Sequence, residues 1–72
     1  MTFLEHLELL RRMDSLIRHK ATGRYDAFAR RIGISVASLF RRLDELKMLG
    51  AEIDYCHRWQ SYYYSNTFSF WR

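Results

Sequence analysis

Proline is absent and glycine occurs only three times, so flexible linkers are excluded. A single cysteine cannot close an internal disulfide, which points to a reducing, cytoplasmic setting. No apolar run approaches the ~20 residues that a membrane helix needs. The opening Met1-Thr2-Phe3-Leu4-Glu5 lacks the positive n-region of a signal peptide. Length is also scarce: 72 residues fit one domain, 1–72, and rarely build both a core and an enclosed catalytic pocket. What is plentiful is aromatic surface. Aromatic residues make up 17% of the chain, within a 49% hydrophobic and 28% charged composition that reads as globular rather than disordered. A domain this small buries only ~60–65% of the surface of its unfolded chain. Large aromatic side chains compensate, each burying ~150–250 Å².

The net charge is +4, but its distribution says more than its total. Arg11, Arg12, Arg18, Lys20, Arg24, Arg30, Arg31, Arg41 and Arg42 face only Asp14 and Asp26 within their stretch, a local balance of +7. The remainder carries −3. Ten of the twelve cations are arginine, whose planar fork suits bidentate phosphate contacts better than the point charge of lysine. Such a block in a small domain points first to nucleic acid. A solvated helical surface is the plainer alternative, and composition does not choose between them.

Hydrophobic period divides the chain. Thr2 and Glu5 have capping-box spacing. Phe3, Leu7, Leu10, Met13, Ile17 and Ala21 then recur at steps of three and four, widened by Leu9 and Leu16. This predicts a first helix over about 2–21, with a stripe broad enough to suggest a second contact, such as a dimer partner. Phe28, Ala29 and Ile32 give a short second helix over about 25–32, closed by Gly33 as a left-handed C′ residue. Ser35 is a good N-cap for a third helix over about 36–49, with Leu39, Leu43 and Leu46 on one side and Gly50 after it. Beyond Gly50 the period becomes two: Ile53 and Tyr55, then Tyr62 and Tyr64, alternate with polar neighbours or Tyr63. This predicts a hairpin over about 52–65, followed by an aromatic tail over 66–72. The fold class expected is mainly α with a small β-hairpin.

Ala29 four residues before Gly33, Ile34 just after it and Leu39 five residues later allow two helices to approach closely across a tight turn. This resembles the helix-turn-helix of DNA-binding regulators, whose second helix enters the major groove. With the long helix before it, and with Leu49 to Tyr55 and Tyr62-Tyr63-Tyr64 after it, the chain resembles a winged helix-turn-helix. It is most similar to the short winged domains of bacterial transcription regulators of the DeoR and biotin-repressor type, over about residues 3–66. The resemblance implies that Val36, Ala37 and Phe40 face bases. It implies that Ser35, Ser38 and Arg41, with Arg30 and Arg31 late in the second helix, grip phosphates. Arg58 with Trp59 would form the wing contact, in a minor groove or on a flanking phosphate. Val36 and Ala37 depart from the arginine, glutamine or threonine often found after the capping serine. They cannot make bidentate base contacts worth ~1–3 kcal/mol each, so modest specificity through thymine methyls and DNA shape is expected.

Other constellations carry less. Cys56-His57 with His6 and His19 lacks metal-ligand spacing, since neighbours on a strand face opposite ways. No nucleophile–base or carboxylate pair can be placed, so no enzyme, metal or cofactor is expected. Trp59 at a turn either touches a partner or folds back over the sheet. Phe68, Phe70 and Trp71 either seal the first helix or form a homodimer seam. The expected partner is double-stranded DNA, with a homodimer through helix 1 or the tail, no membrane and no small-molecule effector. The alternative is the same fold used as a protein–protein interaction module.

Overall fold

A computed structural model describes residues 2–68. It contains three helices, α1 (Phe3–Arg18), α2 (Tyr25–Ile32) and α3 (Val36–Met48), then two antiparallel strands, β1 (Ile53–Cys56) and β2 (Ser61–Tyr64). The order of elements is that of a winged helix-turn-helix. Phe70 and Trp71 lie outside the described residues.

α1 starts at Thr2, whose hydroxyl accepts from the Glu5 amide at 3.2 Å. Its buried residues are Leu9, Leu10, Met13, Asp14 and Ile17. Phe3, expected to begin the stripe, is instead exposed, as is Leu4. The helix also stops about three residues short of the expected end. Lys20 takes a left-handed conformation (φ 54°). Its amide donates to the Ile17 carbonyl at 3.1 Å, and the Ala21 amide donates to that of Leu16 at 2.9 Å. This is a Schellman closure with lysine where glycine is usual.

The early stop frees Ala21 and Thr22 to run beside the hairpin. Thr22, fully buried, accepts from the Tyr62 amide at 2.9 Å and donates to the Gly23 carbonyl at 2.8 Å. Its own amide donates to the equally buried Ser61 hydroxyl at 3.2 Å. Two polar side chains thus satisfy backbone groups that would otherwise be stranded inside.

α2 ends as expected. Gly33 sits at φ 75°, and the Ile34 amide closes back on the Ala29 carbonyl at 3.0 Å. Ser35 then opens α3, accepting from the Ser38 amide at 3.1 Å. Phe28, Ala29 and Ile32 from α2 meet Leu39, Leu43 and Leu46 from α3 in one core with the α1 stripe. α3 ends at Met48 with Leu49 as cap, one residue inside the expected boundary.

The hairpin pairs Ile53 with Tyr64 and Tyr55 with Tyr62, so alternation places these four on one face. Ile53, Tyr62 and Tyr64 pack on the core. Asn66 ties off the open end, accepting from the Glu52 amide and donating to the Gly50 carbonyl, both at 3.0 Å.

Behind the hairpin lies a buried ionic node. The Asp14 carboxylate, 1% exposed, accepts from Arg18 Nε at 2.8 Å and from the Tyr64 hydroxyl at 2.6 Å. Arg18 also donates to the Phe68 carbonyl and lies over the Tyr64 ring. Phe68 is buried, its ring 5.3 Å from that of Tyr64. Of the two roles considered for the aromatic tail, Phe68 takes the sealing one.

Candidate nucleic-acid interface

On α3, successive side chains turn by about 100°, so burial of Leu39, Leu43 and Leu46 sends Ala37, Arg41 and Asp44 to the opposite side. All three of these are exposed. Polar contacts also tie this helix to α1. Arg42 pairs with Glu45 one turn on and reaches the His6 ring at 3.3 Å, while His6 Nε2 meets Glu45 at 2.7 Å. One tautomer serves both contacts: Nε2–H donates to Glu45 and Nδ1 accepts from Arg42.

The residues expected to face bases divide. Ala37 and Phe40 are exposed, and Phe40 is flanked by the Tyr25 ring at 6.0 Å. Val36 does not join them. It is half-buried and packed on the core, because it lies on the same helical side as Leu39 and Leu43.

The residues expected on phosphates also divide. The Ser35 hydroxyl donates to Ser38 Oγ at 3.0 Å. That leaves the Ser38 hydroxyl proton as the one free to meet an anion. Arg30 and Arg41 are exposed, and their guanidinium groups make no hydrogen bond or ion pair among the described residues. Arg31 is drawn the other way. It donates to the Ala21 carbonyl at 2.9 Å, and its own carbonyl accepts from Arg12 at 3.2 Å, so it braces the seam of α1 and α2. Arg58 is exposed in the hairpin turn and also without a partner among the described residues. Trp59 folds back against Tyr63, with ring centroids 5.6 Å apart and nearly perpendicular, and Lys20 lies over its indole at 5.0 Å. Even so, it stays 49% exposed.

The basic block is therefore not one undivided field. Arg18 and Arg42 are neutralised internally, and Arg12 and Arg31 hold carbonyls. In the sequence Arg24 counts only as one cation of the basic block. It stands at the start of α2, exposed, with no partner for its guanidinium among the described residues.

No family model, curated protein or solved structure matches the chain. Among the described residues no three His, Cys, Asp or Glu side chains form a group able to hold a metal, and no helix is long and apolar enough to cross a membrane.

Proposed function

We propose that this protein binds double-stranded DNA and acts in transcription regulation, in a bacterial cytoplasm. α3 enters the major groove and the hairpin turn meets the flanking backbone or minor groove. The observation that carries this reading is Arg41. It is exposed on the outward side of the second helix of a helix-turn-helix, and no ion pair holds it among the described residues. Ala37 and Phe40 beside it offer apolar contacts of the kind that touch thymine methyls. Sequence discrimination is therefore modest, and affinity is mainly electrostatic.

Arg24, Arg30, Arg41 and Arg58 supply about four phosphate contacts, for a slope of log affinity on log salt near −3.6. Affinity then falls on the order of a hundredfold between 50 and 200 mM salt. Arg41→Ala weakens binding to all duplexes about equally and reduces the slope by about one. Fluorescence polarisation of random duplexes at several salt concentrations reads both quantities. Unchanged affinity and slope in Arg41→Ala overturns the placement of α3.

A second reading, a protein-docking module or homodimer, is favoured by one observation. Phe3 and Leu4 at the start of α1, and Met48 and Leu49 at the end of α3, are large apolar side chains left exposed. A mass from light scattering and retention on DNA at low salt separate the two readings.

A further inference from the structure

No small-molecule effector is expected from the sequence, yet the fold builds a cleft suited to one. It lies between the start of α2 and the hairpin, has a volume of about 390 Å³, and is lined by Arg24, Tyr25, Tyr55, His57, Gln60 and Tyr62. That volume is at the lower end of the ~300–1,000 Å³ in which small organic ligands are held.

The walls are aromatic and set in advance. Tyr62 leans on Phe28 of the core at 5.7 Å, Tyr55 meets Tyr62 edge-on at 5.0 Å, and His57 meets Tyr55 edge-on at 5.1 Å. This chain of rings runs from the interior to the surface, so a planar guest finds its wall already ordered. The three phenols stand close together: burial, then Tyr55 and Tyr25, pushes the Tyr62 hydroxyl above its ordinary pKa.

The polar groups have one character. Four of the lining residues are aromatic, none is acidic, and the nearby Asp26 carboxylate is turned onto the Ala27 amide at 2.9 Å. Arg24 offers an unpartnered guanidinium fork, which fits a phosphate bidentately. Gln60 carries both a donor and an acceptor, as the edge of a base requires, and holds its place in the turn at φ 49°. A planar aromatic ring bearing an anionic group matches this set. We propose that the cleft binds a nucleotide, with its base against Tyr55 and Tyr62 and its phosphate on Arg24. The nucleotide is either free or an unpaired unit of a strand. Arg24 is shared with the duplex reading, but α3 and Arg41, which carry that reading, take no part in the cleft.

The full chain is titrated with AMP, adenosine and inorganic phosphate while the aromatic NMR resonances of Tyr25, Tyr55, His57 and Tyr62 are followed. AMP produces saturable shifts at these rings, with adenosine about tenfold weaker because the charged hydrogen bonds are missing. Arg24→Gln, which has no internal partner to lose, weakens AMP about tenfold and removes its advantage over adenosine. Arg41→Ala leaves the AMP titration as it was, whatever it does to duplex binding. The absence of saturable shifts with AMP overturns the proposal. So does an equal response to phosphate alone, or an Arg24→Gln variant that binds AMP undiminished. A single strand of about ten deoxyadenosines identifies the source. Shifts of the same rings at lower concentration than AMP mean an unpaired strand unit, and shifts with AMP alone mean a free nucleotide.

Discussion

Replacing Asp14 with alanine tests the node that joins α1, the hairpin and the segment through Phe68. The carboxylate is 1% exposed and holds Arg18 at 2.8 Å and the Tyr64 hydroxyl at 2.6 Å. Removing one partner of a fully buried ion pair costs ~3–5 kcal/mol, because the surviving charge cannot return to water. Here the Arg18 side chain is 34% exposed and rehydrates, which lowers that contribution to about 1–2 kcal/mol. The half-buried Tyr64 hydroxyl loses its acceptor, which adds about 1 kcal/mol. The sum, ~2–3 kcal/mol, is a large part of the ~4–11 kcal/mol that a chain of this length holds. At ~4–8 °C per kcal/mol for a domain of this size, Tm falls by ~10–20 °C. Asp14→Asn keeps an acceptor for Tyr64 and loses about half as much. Circular dichroism melts and urea titrations read these changes, and a double-mutant cycle with Tyr64→Phe isolates a coupling of ~1 kcal/mol. A Tm within about 4 °C of the parent in Asp14→Ala would falsify the node's structural weight.

Two further perturbations address the same packing. Burial, the hydrogen bond to Asp14 and the charge of Asp14 all hold the Tyr64 phenol well above its ordinary 10.0, with Arg18 opposing. Its contribution to stability is complete below about pH 10, where the phenol is protonated in both states, and drains as pH rises and the unfolded phenol ionises first. The loss is at most ~1.4 kcal/mol per pH unit, and less for a half-buried ring. Urea midpoints at about pH 9 and about pH 11 should therefore fall more steeply in the parent than in Tyr64→Phe, and parallel slopes contradict the assignment. Thr22→Val preserves shape but strands the Tyr62 amide, at ~1–3 kcal/mol. Hydrogen exchange at that amide rises about tenfold or more, and unchanged exchange refutes the role of the threonine.

The parts of the fold legible in the sequence are those decided locally. Gly33 and Ser35 bracket the turn because the left-handed closure and the cap are properties of a few adjacent residues. Alternation alone located the hairpin, since each step of two returns a side chain to the same face. The end of α1 was hidden because its left-handed residue is Lys20 and not a glycine, and the early stop answers to Ser61 and Tyr62 some forty residues away. Asp14 looks like one of two acids in a basic block. Its burial depends on Tyr64, fifty positions on, although the spacing to Arg18 is visible as an i,i+4 pair. Site residues followed the same division. Helical geometry already turned Arg41 outward, whereas the diversion of Arg31 to Ala21 and the convergence of Arg24 with the hairpin tyrosines needed the third dimension.

The adjacent residues Arg41 and Arg42 do opposite work. Arg42 lies between Glu45 and the imidazole of the first helix and so is spent inside the molecule, while its neighbour is left to the solvent. The opening turns of the chain and the helix that carries Arg41 thus meet through one imidazole, which touches both Arg42 and Glu45.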